Sequence, residues 1–391
     1  MGHYTNHFVL LFLVNFSFFF VTSNASLINV VNFGAKPDGN FDSTTPFLRA
    51  WSSACTSVEQ SKIYVPKGSF LLKQVTFGGP CKNNIIFQID GTIVAPSNYL
   101  SLGNSGYWIL FSNLDGGISI NGGILDGKGD GYWGCKSGGS SCPNGARSIS
   151  FSWCNNVRVS GLTSLNSQAM HMSLNYCKDV LIQNVNIKAP STSPNTDGIN
   201  MQFSTRVNVS HSTIMTGDDC ISISQGNTNV WIEHVACGPG HGISIGSLGN
   251  FVNEAGVQNV TVIHSVFSET QNGVRIKSWS KSSNGYVRDI VFKNLTMQNA
   301  YNPIIIDQTY CPSGSCPHEG SSVKISRVSY EQIKGTSACP VAINFDCSQS
   351  KPCEGIKLQD INLNYYNRSA MSSCTNVGGF NIGTVIPKSC L

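Results

Sequence analysis

Charge is scarce in this chain of 391 residues: Asp, Glu, Lys and Arg make up 12%, and the net charge is +4. No Lys/Arg-rich run occurs, which speaks against nucleic acid as a partner. No helix-length periodic segment interrupts its middle, and no charge block, Pro-rich linker or composition break divides it. One apolar run stands out, at residues 8–21. It is too short to span a bilayer and fits the core of a secretory signal. Its leading flank lacks Lys and Arg, and Ser23-Asn24-Ala25 supplies a cleavage site. Residues 1–25 are therefore expected to be a signal peptide, with 26–391 as one domain. No second apolar stretch is long enough to cross a membrane, so a monomer without membrane contact is expected after cleavage.

Cysteine is abundant. A secreted chain with 15 cysteines implies disulfides. Proximity in sequence suggests Cys135 with Cys142, Cys220 with Cys237, Cys311 with Cys316, Cys347 with Cys353, and Cys374 with Cys390. The odd count leaves at least one thiol free or paired elsewhere. Cys311-Pro-Ser-Gly-Ser-Cys316-Pro-His318 has the look of a metal knuckle, but no second ligand pair has zinc spacing, so a bridge is expected. Asn208, Asn259, Asn294 and Asn367 lie in Asn-x-Ser/Thr triplets, candidate glycosylation sites.

Two repeat series set the architecture. Asp197-Gly-Ile-Asn-Met, Asp219-Cys-Ile-Ser-Ile and His241-Gly-Ile-Ser-Ile recur at 22-residue intervals, and Asn272-Gly-Val-Arg-Ile-Lys277 follows after 31. A second series runs through Val157-Arg-Val159, Val180-Leu-Ile182, Val207-Asn-Val209, Val230-Trp-Ile232 and Val260-Thr-Val262. It continues at Ile290-Val-Phe292, Val323-Lys-Ile325 and Ile356-Lys-Leu358. Period-2 alternation of β-branched residues is the strand signature. Repeats of this length mean a solenoid whose equivalent positions stack. The fold class expected is all-β: a single-domain right-handed parallel β-helix with two or more strands per coil. An open coil end needs a cap. After Asp42-Ser43-Thr44, residues Phe47, Ala50, Trp51 and Ala54 have helical spacing, which predicts an N-terminal capping helix with a polar start. The cysteine-rich carboxy-terminal segment is expected to be stapled over the other end.

Stacking brings Asp197, Asp219 and His241 into one column, with Asp218 beside Asp219 and Arg275 and Lys277 on the next rung. A lone Asp at a coil corner is usually a turn cap. Three of them beside an imidazole and two cations suit acid–base cleavage of an anionic sugar chain. Carboxylates one rung apart, about 4.8 Å, push one pKa up, which helps keep one group protonated. Arg275 and Lys277 alternate along one strand and so share a face. A guanidinium beside an ammonium suits a carboxylate-bearing sugar. His171, one coil earlier, is a candidate either for a neighbouring sugar subsite or for a turn cap. Asn195 is a candidate substrate contact within an ordinary Pro-Asn turn signal. The motifs call for no cofactor and no metal.

Asn195-Thr-Asp197, Gly217-Asp-Asp219, Gly240-His-Gly242 and Arg275-Ile-Lys277 resemble, in order and spacing, the motifs of plant polygalacturonases, glycoside hydrolase family 28. The likeness runs along nearly the whole mature chain, including Phe33-Gly-Ala-Lys-Pro-Asp-Gly39, Trp51-Ser-Ser-Ala-Cys55, Leu125-Asp-Gly-Lys-Gly129 and Gln308-Thr-Tyr310. It implies hydrolysis of α-1,4-galacturonan in pectin with inversion. On that basis Asp218 is the general acid, and Asp197 and Asp219 activate the water. His241 tunes the acid; Arg275, Lys277 and Tyr310 hold the galacturonate. Rung spacing alone suggests retention instead, because inverting pairs usually stand about 6.5–9.5 Å apart. Three carboxylates holding one water fall outside that two-carboxylate rule. Rhamnogalacturonan as substrate, a pectate lyase, and a non-catalytic wall-binding protein remain alternatives. A lyase needs a calcium site and an Arg base, which the intact Gly-His-Gly and Arg-Ile-Lys motifs argue against.

Overall fold

The computed structural model describes residues 1–3, 26–139, 141–316, 320–366 and 368–391. The expected signal segment falls almost wholly on 4–25, and His318 and Asn367 also lie outside the described residues.

Parallel strands stack coil upon coil into the expected right-handed parallel β-helix. On the sheet that carries the motifs, Ile199, Ile221, Ile243, Val274, Ile304 and Ile343 pair in one register. All six are 0% exposed. Each fully buried branched side chain contributes about 1.5–3 kcal/mol, so this column alone pins the register of the groups beside it. The opposite sheet stacks Val157, Val180, Val207, Val230, Val260 and Ile290 in the same way.

One expected rung is misplaced. Ile290 pairs with Val328, and Val328 with Ile356. Ile325, assigned from its spacing to that rung, instead pairs with Val287. A longer coil explains the slip: 38 residues separate Ile290 from Val328, against 23 to 30 between the paired positions before them. A left-handed corner at Arg327, φ 54°, lets Ile325 and Val328 both point inward although three residues apart. Other coils use Asp179, Asn229, Asn259 and Asp289 at the same corner, all with positive φ. Asn and Asp accept that region more readily than most residues.

Helix α1 (Thr44–Thr56) caps the amino-terminal coil with Phe47, Ala50, Trp51 and Ala54, as expected. Its polar start is Asp42, whose Oδ1 accepts from Thr44 N at 3.0 Å and from Thr44 Oγ1 at 2.6 Å. A bridge not anticipated, Cys55–Cys81, ties the end of α1 to the coils below. All five expected bridges are present, which makes Cys311–Cys316 a disulfide. Cys154, Cys177 and Cys339 are free. A second helix, α2 (Asp130–Ser137), was not expected; eight residues are too few to show a helical period. It follows the Leu125–Gly129 turn and is closed by Cys135–Cys142. The carboxy-terminal staple, Cys374–Cys390, is there. It leaves the last strand, Val377–Ile386, largely exposed, with Phe380 at 52%.

Candidate active site

Register places the site. Asp197, Asp219, His241 and Asn272 each stand two residues before a paired inward-facing residue: Ile199, Ile221, Ile243 and Val274. Glycine lets the coils close there. A Cβ on Gly217 would meet Ser193 O at 2.0 Å, and one on Gly242, with φ +86°, would meet Asn272 O at 2.1 Å. The Gly beside Asp218 and the Gly after His241 are therefore packing requirements of stacked turns.

Asp218 fronts a cavity of about 310 Å³ together with Asn195, His241, Gln271, Arg275, Lys277, Tyr310 and Pro312. Asp197 and Asp219 lie beneath it, 7% and 2% exposed. His241 Nδ1 lies 3.0 Å from Asp218 Oδ1. The Asp219 amide also donates to that oxygen, at 2.8 Å. Asn195 Nδ2 reaches Asp218 Oδ2 at 3.4 Å. Asp219 is bound from three sides: Ser244 Oγ donates at 2.7 Å, Arg275 Nη2 at 3.0 Å and Lys277 Nζ at 2.8 Å. Among the described residues Asp197 has one side-chain donor, Ser222 Oγ at 2.6 Å. Asn272 Nδ2 donates to the His241 carbonyl at 3.1 Å and steadies the histidine's turn. The Tyr310 ring lies 5.9 Å from the Arg275 guanidinium and 5.2 Å from Lys277 Nζ.

These surroundings split the carboxyls. Burial first, then repulsion from Asp218 and Asp219, pushes Asp197 up to about 7. Burial also raises Asp218, but the hydrogen bond and charge of His241 and the charge of Lys277 outweigh it, and its pKa is lowered. The site therefore favours its proton on Asp197 and leaves Asp218 ionised. The assignment by resemblance needs the same single proton on Asp218. One transfer within the cluster separates the two arrangements.

Donor atoms of Asp218, Asp219 and His241 lie within 4.8 Å of one another, spacing that a metal ion accepts. Both Asp219 oxygens are already engaged by cations, so a metal bound there would sit against the charges of Arg275 and Lys277. Every site residue singled out from the sequence, except His171, is in this cluster or lines its cavity. His171 is 0% exposed, its Nδ1 pairs with Ser164 Oγ at 2.8 Å, and burial lowers its pKa to about 3. It is an interior residue, and neither a sugar subsite nor a surface turn cap. The sequence reading missed Ser222, Ser244, Gln271 and Pro312. The two serines were legible, since each is the fourth residue of a repeat motif.

The sequence profile of the glycosyl hydrolases family 28 matches residues 55–390. A polygalacturonase of Prunus persica is 54% identical over 366 residues, 93% of each chain. An exopolygalacturonase of Platanus acerifolia is 41% identical, over 94% of this chain and 98% of that one. Among solved structures, the endo-xylogalacturonan hydrolase of Aspergillus tubingensis superposes with a TM-score of 0.80 at 22% identity. It covers 92% of this chain and 99% of its own. The hyperthermoactive exopolygalacturonase of Thermotoga maritima gives 0.75 at 19% identity, over 91% of each. At those identities the superpositions speak to the fold.

Proposed function

Since the chain belongs to family 28 of the glycosyl hydrolases, we propose that it hydrolyses the α-1,4-galacturonosyl linkages of pectin with inversion. Glycoside hydrolysis of polygalacturonan follows from the family and the relatives. The residue roles rest on one observation: Asp218 faces the cavity while Asp197 and Asp219 stand behind it, beside Arg275 and Lys277.

Arg275 and Lys277 bind the galacturonate carboxylate at the cleavage point, and Tyr310 packs along that sugar. Asn195 and His241 complete the contacts. An entering carboxylate offsets Lys277, whose charge holds down both Asp218 and Asp197. A water donating to Asp197 favours the ionised form of that group alone, and so moves the shared proton from Asp197 to Asp218. Asp218 then protonates the glycosidic oxygen while Asp197 and Asp219 draw a proton from the water. The same reading makes residues 26–391 one domain, secreted to the cell wall and acting as a monomer. Six disulfides suit that location.

The test is hydrolysis of de-esterified polygalacturonate by wild type and Asp218→Asn with chelator present. Reducing ends and ultraviolet absorbance are followed together. Reducing ends without absorbance, lost in the variant, are expected. Chelator-sensitive absorbance would mean a lyase. Polymer binding without release would favour a wall-binding protein or another pectin.

A further inference from the structure

Asn200, Ser222, Ser244 and Arg275 form one column on the outer face of the sheet, each paired with the next. Each serine there has two polar partners, one on each side of its oxygen. Ser222 Oγ accepts from Asn200 Nδ2 at 2.8 Å and donates to Asp197 Oδ2 at 2.6 Å. Ser244 Oγ accepts from Arg275 Nε at 3.1 Å and donates to Asp219 Oδ1 at 2.7 Å. Both serines are buried, at 3% and 0% exposed.

A serine hydroxyl ordinarily rotates among several partners. Here a fixed N–H occupies the acceptor side of each oxygen, so each O–H has one direction left, toward a carboxylate. Short hydroxyl-to-carboxylate contacts of this length are the strong, charge-assisted kind. We propose that Ser222 and Ser244 are positioning residues, their protons locked by Asn200 and Arg275, and that Ser222 is the one that sustains the ionised form of Asp197.

The two serines are unequal because their carboxylates are. Asp219 also binds Arg275 and Lys277 directly. Asp197 is faced by the like charges of Asp218 and Asp219, by the attraction of Lys277, and by Ser222. Ser222 is therefore the sole side-chain donor that Asp197 has among the described residues. Without it, the shared proton stays on Asp197, and the arrangement with Asp218 protonated becomes rarer.

The proposal rests on the hydrolase reading above, and its test separates the two. The pH dependence of kcat/KM on polygalacturonate is measured for wild type, Ser222→Ala, Ser222→Thr, Ser244→Ala and Asn200→Ala. Aspartate carboxyls of the same proteins are titrated by carbon-13 NMR. Ser222→Ala is expected to move the alkaline limb, where the shared proton is lost, up by about one pH unit. Its kcat falls about tenfold while KM stays within about twofold. Ser222→Thr restores both, and Asn200→Ala shifts the limb the same way by less. Ser244→Ala lowers kcat but leaves the limb in place. A Ser222→Ala limb superimposed on wild type overturns the proposal, as do equal shifts in the two serine variants. If Ser222→Ala does not fold, Asn200→Ala carries the test, and an unmoved limb there overturns it. A wild type that releases no reducing ends refutes the hydrolase reading instead. The Asp197 titration still decides for Ser222: a rise in the alanine variant supports it, and no rise overturns it.

Discussion

Asp219–Arg275 and Asp179–Arg206 are the same chemical pair in two settings. The first has side chains 2% and 10% exposed, and the second 40% and 49%. The exposed pair joins equivalent corners of adjacent coils, whereas Arg275 reaches Asp219 from two coils on, out of the column of Ser222 and Ser244. On the exposed corner, water screens the pair and competes for it, so removing one partner changes little. At the cavity, walls exclude water. A carboxylate there keeps its charge only while its cations and hydroxyls remain. The solenoid makes ladders everywhere; burial decides which of them can do chemistry.

The sharpest way to break this contrast is Arg275→Ala. It strands Asp219 with Lys277 and Ser244 alone. Leaving a buried charge short of its partner costs about 3–5 kcal/mol. Denaturant unfolding should show that loss, and reducing-end release should fall below detection. A stable, active variant would mean that the buried pair behaves like the exposed one.

Next in size is the pH dependence. Hydrolysis needs the one proton the three carboxyls share. With Asp197 pushed up to about 7, kcat/KM should fall as pH rises through that value. An optimum above neutrality would contradict this assignment.

Asp197 has a stability signature as well. Its folded pKa is raised from 3.8 to about 7, so the folded state holds a proton that the unfolded chain gives up. That penalises folding from about pH 4 upward, and the penalty stops growing near pH 7. Asp197→Asn should match wild type in Tm below pH 4, then exceed it by a margin that widens to pH 7. A constant difference across pH would place the effect in packing. The smallest effect is Arg206→Ala, expected to leave unfolding midpoint and rate within error at ordinary salt.

Much of this was legible because a solenoid writes its contacts into its period. Asp197, Asp219 and His241 align by counting 22 residues, and counting along the chain is here the same as stepping along the axis. Where the period breaks, legibility fails. Ile325 was placed on the wrong rung because 38 residues separate Ile290 from its partner Val328, more than in the coils before. Cys55–Cys81 spans 26 residues between a helix end and a coil, and nothing in sequence spacing marks it. The reach of Arg275 and Lys277 to Asp219 could be guessed as proximity. That both Asp219 oxygens are taken, while Asp197 keeps a single side-chain donor among the described residues, depends on rotamers that a repeat pattern does not encode.

The unequal ends of the helix give the molecule a direction of failure. Helix α1 and Cys55–Cys81 seal the first coils, whereas Val377–Ile386 ends the stack with an open flank. A structure whose coils touch only their neighbours loosens from its weaker end, one layer at a time. Amide exchange should accordingly be fastest in that last strand and slow progressively toward α1. Proteases should nick the carboxy-terminal layers while the catalytic rungs, several coils inward, still turn over substrate.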